Sequence, residues 1–134
     1  GPAHLDRFFR WKKDARFFFA GQITGVEGYL ESAATGLMAG ASLAQLLEGR
    51  EPGPLPFSTA LGALSRHVSE SDEASYAPMN VTFGLIDDAD VPPIRDRAKR
   101  REEIVRRALE SVARWREAAL GLPEPAGREK GESS

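Results

Sequence analysis

Cysteine is absent from the 134 residues, and histidine and methionine occur twice each. Without thiols the chain holds no disulfide framework, zinc ribbon, CxxC redox pair or thiolate nucleophile. His4 and His67 have no second ligand at a metal-binding spacing, so both read as surface or packing residues and no metal is expected. No apolar run approaches the roughly 20 residues needed to cross a bilayer. The opening Gly1-Pro2-Ala3 has neither the charged nor the apolar region of a signal peptide, and the expected location is cytoplasmic. A chain of this length can bury one modest core, and no internal repeat divides it.

What is present is unevenly distributed. The net charge of -2 hides a segregation. Residues 7–16 carry Arg7, Arg10, Lys12, Lys13 and Arg16 against Asp14 alone. Residues 69–90 have six acidic groups and no basic one. Residues 95–107 carry seven basic groups against Asp96, Glu102 and Glu103. Local sign, not net charge, therefore bears on partners.

The run Arg16-Phe17-Phe18-Phe19-Ala20, closed by Gly21, has the length and aromatic content of a buried strand. Thr24-Gly25-Val26-Glu27 then reads as a capping box, predicting a helix over about Gly25–Leu47 that stops at Gly49 and Pro52. Nine of the twenty residues from Gly25 to Ala44 are Gly or Ala. Gly28, Gly36 and Gly40 would each cost about 1 kcal/mol in a helix interior, which predicts a central element approached closely by its neighbours. Residues 50–57 form a proline-rich connector, and Ser58 is positioned to cap a short helix to about His67. Residues 69–77 read as an acidic loop, and Pro78–Ile86 as an extended segment. Pro92-Pro93 should open a last helix over about Pro93–Leu120, whose stripe is Ile104, Val105, Ala108, Leu109, Val112, Trp115 and Ala119. From Gly121 onward little is available to bury, so residues 121–134 are expected to be a disordered tail.

A strand, a Gly turn and a helix N-terminus can present backbone N–H groups to an anion or an electron-rich heteroatom. The same arrangement also serves as ordinary packing, and the residues alone leave both readings open.

The segment Phe18-Phe19-Ala20-Gly21-Gln22-Ile23-Thr24-Gly25-Val26-Glu27-Gly28-Tyr29-Leu30-Glu31-Ser32-Ala33-Ala34-Thr35-Gly36-Leu37-Met38-Ala39-Gly40 resembles the C-terminal flavin-binding segment of the folate/FAD-dependent tRNA uracil-5-methyltransferases, the TrmFO family. Thr59–Leu64 and Pro78–Leu85 match in the same order. The resemblance implies an α/β fragment. Residues 1–49 would form the C-terminal part of a Rossmann-like FAD-binding domain (strand, Gly turn, long helix), and residues 50–120 a mainly helical and extended C-terminal region. It also implies FAD, methylenetetrahydrofolate as one-carbon donor and NAD(P)H as reductant, with tRNA as substrate and 5-methyluridine in the T-loop as product. Gly21, Gln22, Ile23, Thr24, Gly25, Val26 and Glu27 would be the flavin-edge contacts, with Met79 and Asn80 in the folate or flavin pocket. Met79 as core filler and Asn80 as a loop-structuring amide are the plain alternatives. Arg10, Lys12, Lys13, Arg97, Lys99, Arg100 and Arg101 are candidate tRNA phosphate contacts, with Trp11 available to stack on a base and Arg114 and Arg116 extending the charge. The nucleophile and the dinucleotide fingerprint would lie outside these residues. The chain is therefore expected to be a piece of a longer polypeptide, partnered by its N-terminal remainder. Two other readings remain: a GidA-like tRNA wobble-uridine enzyme, and a non-catalytic helical RNA-binding or assembly module.

Overall fold

The computed structural model describes residues 1–123. The expectation for residues 124–134 lies outside them. The described chain is mostly helical: α1 spans Tyr29–Leu47, α2 Ala60–Glu70 and α3 Arg97–Leu120, with 3₁₀ turns at Gly21–Thr24 and Phe83–Leu85.

The expected strand at residues 16–20 is not part of a sheet. Among the described residues β pairing is confined to isolated bridges, Leu5 with Trp11, Arg10 with Phe18 and Val26 with Met79. A strand needs a neighbour along its length. The backbone of Phe18–Ala20 pairs with the N-terminal loop at only the Arg10–Phe18 bridge and the Phe19 N–H to Phe9 carbonyl bond, while Phe18 and Phe19 pack on the core. That loop is fixed by Asp6, whose Oδ1 accepts from the Phe8 and Arg10 N–H groups at 2.9 and 3.1 Å. It holds Phe9 at φ 62°, unusual for a bulky residue, with its side chain fully buried. The packing of Phe9 offsets that backbone cost.

Helix α1 starts one turn later than the capping box predicts. Thr24 Oγ1 donates to the Gly21 carbonyl at 2.7 Å instead of capping, and Glu27 N–H pairs with the Met79 carbonyl. Gly25 and Gly28 lie at φ 93° and 87°, where a Cβ is disfavoured, and Gly28 is the true N-cap. The end of α1 falls at Leu47 as expected, with Gly49 left-handed just beyond it. Thr59, not Ser58, caps α2, its hydroxyl accepting from Gly62 N–H at 3.0 Å. That helix continues through His67 to Glu70. Helix α3 begins at Arg97 rather than Pro93, because the Asp96 carboxylate takes the N–H groups of Ala98 and Lys99 at 2.9 and 3.1 Å. It ends on left-handed Gly121.

One core joins these elements. Leu5, Phe9, Val26, Met38 and Ala39 cluster with Leu55, Leu64 and Val68, and Val112 and Trp115 of α3 pack against them. Gln45 ties α1 to the connector by accepting from Gly53 N–H at 2.8 Å, and Trp115 Nε1 donates to the Gly53 carbonyl at 2.6 Å. Gly62 sits against the Pro56 carbonyl with no room for a Cβ, which sets how closely α2 meets the connector.

Candidate functional site

The turn Gly21–Gly28 and the segment Pro78–Val81 are about fifty residues apart in sequence and meet in space. Val26 and Met79 form a parallel bridge, and Glu27 N–H donates to the Met79 carbonyl at 3.2 Å. Glu31 closes the junction: its Oε1 accepts from Val81 N–H at 3.1 Å. Asn80 Oδ1 lies beside Gly28, so close that a Cβ there would stand 2.9 Å from it.

Two further side chains hold the turn from either side. Thr35, fully buried on α1, accepts from Gly21 N–H at 2.8 Å and donates to the Ser32 carbonyl at 2.9 Å. Tyr76 donates its hydroxyl to the Thr24 carbonyl at 2.8 Å and fills the space over Gly25. Its ring stacks on His67 with centroids 5.1 Å apart. Burial pushes the Tyr76 phenol above its usual range, so it remains a proton donor at neutral pH. His67 is engaged by Ser71 through Nδ1 and by the Ala77 carbonyl through Nε2. It is a packing residue.

Of the expected edge contacts, Gln22 and Ile23 are exposed, Gly21 is half-buried, and Thr24 and Val26 are buried in the fold. Gly21 lies at φ 76°, and a Cβ there would meet only Ser32 Cβ at 4.0 Å, so the turn is open at that point. The opening expected at Gly25 is taken by Tyr76. At the start of α1 the Glu31 carboxylate already occupies the first turn and offsets the positive end of the helix dipole. The open part of the turn is therefore Gly21–Ile23 rather than the start of α1. Glu31, Thr35 and Tyr76 were not among the expected residues. A Glu three residues after Gly28 is the one local signal that marks the true helix start.

The basic residues divide into paired and unpaired groups. Arg10 is bound to Asp6 at 2.8 Å, and Lys12 donates to the Pro2 carbonyl at 2.5 Å. Arg100 is bound to Asp88 at 2.6 Å, and Arg101 lies over the Phe83 ring at 5.2 Å. Arg106 and Arg107 both grip Glu103, at 2.7 and 2.8 Å, and hold its carboxyl down to about 2. Lys13, Arg97 and Lys99 are exposed, and no ion-pair partner holds them among the described residues. Trp11 is half-buried, its ring edge-on to Phe17 at 6.0 Å. Arg97 and Lys99 crowd the N-terminal turn of α3, where the helix dipole disfavours cations. No group of three His, Asp or Glu side chains converges among the described residues. No described helix is long and apolar enough to cross a membrane.

The family described as "Glucose inhibited division protein A" matches residues 1–51. The chain is also similar to curated proteins named "Methylenetetrahydrofolate--tRNA-(uracil-5-)-methyltransferase TrmFO". That of Streptococcus gordonii is 49% identical over 112 residues, 84% of this chain and 25% of the relative. That of Pelotomaculum thermopropionicum is 46% identical over 123 residues, 89% of this chain and 27% of the relative. That of Streptococcus sanguinis is 49% identical over 111 residues, 83% and 25% respectively. The resemblance read from Phe18–Gly40 and its two companion motifs thus holds over most of the chain. The chain spans about a quarter of the length of the curated relatives it matches.

Proposed function

We propose that these residues are the C-terminal part of a methylenetetrahydrofolate- and FAD-dependent tRNA methyltransferase that forms 5-methyluridine in the T-loop. The observation that carries this reading is the meeting of the two matched motifs, Gly21–Gly28 and Pro78–Leu85, at the Val26–Met79 bridge. Segments far apart in the chain, both part of the resemblance read from the sequence, are held together here, as a binding site requires.

On this proposal residues 1–49 close a Rossmann-like FAD-binding domain and residues 50–120 form the C-terminal region packed on it. The residues suit a flavin edge at Gly21, Gln22 and Ile23: the turn has no Cβ at Gly21, and Gln22 offers both a donor and an acceptor. Thr24, Gly25, Val26 and Glu27 shape that turn from within, and Met79 and Asn80 hold its far side. When bound, flavin would supply the reducing equivalents, drawn from NAD(P)H, for converting a folate-borne methylene into a methyl group. Thr35 fixes the Gly21 N–H, and Tyr76 and Glu31 keep the turn from relaxing. Lys13, Arg97 and Lys99, with Arg101, would contact tRNA phosphates and position the substrate without reading its sequence. Arg10 and Arg100 are ion-paired within the fold and contribute less, and Lys12 is tied to the Pro2 carbonyl.

Nucleoside analysis of tRNA from cells lacking the gene tests the reading. Loss of 5-methyluridine, restored by the complete gene product, is the expected result. Loss of a wobble-uridine modification with 5-methyluridine intact would overturn it in favour of the GidA-like activity. The visible spectrum of the purified complete product tests the cofactor. Gln22→Ala, an exposed position, is expected to lower flavin occupancy while leaving the folded state unchanged.

A further inference from the structure

Helix α1 buries Thr35, Met38, Ala39, Ser42 and Gln45 and leaves a row of leucines outward. Thr35 and Gln45 are 0% and 2% exposed, whereas Leu30, Leu37 and Leu47 are 83%, 63% and 80% exposed. The inward arrangement has a cause: Thr35 and Gln45 satisfy the backbone N–H groups of Gly21 and Gly53. The outward residues Leu30, Ala33, Leu37, Gly40, Ala44 and Leu47 recur at steps of three and four, forming one stripe from the first turn of the helix to its last residue. An isolated helical layer in water shows the opposite pattern. Gly36 and Gly40 were expected to be crowded, yet a Cβ at either would meet nothing within 4 Å. Beside them lies an open groove of about 480 Å³, bounded by Gly36, Leu37, Gly40, Ala44, Leu120 and Leu122. The central packed position predicted for this helix is thus only half realised, on the Thr35–Gln45 side.

We infer that the Leu30–Leu47 stripe is the docking face for the remainder of the flavoprotein, the three quarters of the relatives' length that these residues do not span. This rests on the reading above. The relatives match this chain over most of its length and carry about three times as much polypeptide besides, so the occupant is available within the same polypeptide. The glycines let a flat apolar surface approach the α1 backbone at Gly36 and Gly40, and the leucines fill the space on either side.

Hydroxyl-radical footprinting of the complete gene product tests the docking, with the urea-unfolded product as reference. Leu30, Leu37 and Leu47 are expected to be modified at least about tenfold more slowly in the native state. Modification at the unfolded rate overturns the inference. Protection that disappears on dilution also overturns it, since it identifies a second copy of the chain as the occupant. Leu37→Lys and Leu47→Lys provide an independent reading, because neither side chain is buried within the described residues. Each is expected to lower the Tm of the complete product by about 5 °C or more, and an unchanged Tm counts against docking. The nucleoside assay separates the two proposals. Protected leucines without 5-methyluridine activity leave the docking standing and remove the function, whereas an active product with unprotected leucines does the reverse.

Discussion

The Tyr76 hydroxyl donates to the Thr24 carbonyl at 2.8 Å, and its ring occupies the space that the missing side chain of Gly25 leaves open. The most conspicuous glycine of the turn therefore accommodates a residue of the same chain, about fifty positions away. The exposed part of the turn is Gln22 and Ile23, with Gly21 half-buried beside them.

Tyr76→Phe removes one half-buried hydrogen bond and keeps the ring. A loss of about 0.5–1.5 kcal/mol in urea unfolding is expected. Gly25→Ala is expected to cost more, because its φ of 93° disfavours a side chain and the new Cβ collides with Tyr76 Oη. Combining Gly25→Ala with Tyr76→Ala should recover part of that loss, which would identify the collision as its cause.

Thr35→Val keeps the shape of a fully buried side chain but leaves the Gly21 N–H without its acceptor. Unfolding measurements should show a loss of about 1–3 kcal/mol. Thr35→Ser, which keeps the hydroxyl, is expected to retain more of the stability than Thr35→Val.

Glu103 titrates at about 2, below its ordinary 4.5, because Arg106 and Arg107 favour the ionised form. The stabilisation from this cluster is therefore complete above pH 4.5 and is lost as the pH falls toward 2. Helicity followed by circular dichroism should decline across that window, less steeply at high salt. Glu103→Gln should remove this component of the decline and leave the neutral-pH spectrum little changed.

Arg97→Gln with Lys99→Gln is expected to weaken tRNA binding by the complete product and to flatten its dependence on salt. The log–log slope should fall by up to about 0.7–0.9 for each phosphate that is no longer neutralised. Arg106→Gln is expected to change neither, because that guanidinium is held by Glu103 and Glu110. Filter binding at several salt concentrations distinguishes the two sets. Equal effects would show that the whole helix face contributes only a diffuse charge.

The existence of the three helices and the left-handed stop at Gly49 were legible in the sequence, because each depends on neighbours within a turn or two. Of the α3 stripe, Ile104, Val112, Trp115 and Ala119 face inward, whereas Val105 and Leu109 are exposed. The family likeness was legible too, since it rests on residue identities rather than on shape. Helix starts were not. Thr24 could cap either the helix or its own turn, and Asp96 competed with the Pro92-Pro93 pair. At Thr24 the decision lay in which backbone groups a distant segment satisfied: Met79 took the Glu27 N–H that the predicted box required. At Asp96 it lay in the carboxylate taking the Ala98 and Lys99 N–H groups.

By itself the sequence determined that these residues contain no thiol chemistry and no apolar run long enough to cross a membrane, and that a Gly-rich turn feeds a long helix. Tertiary structure decided which glycines are open. Gly25 is filled by Tyr76, Gly21 is free, and Gly36 and Gly40 face outward beside exposed leucines. A glycine in a sequence records only that a side chain is missing there. What comes to lie in its place depends on contacts made by residues far along the chain.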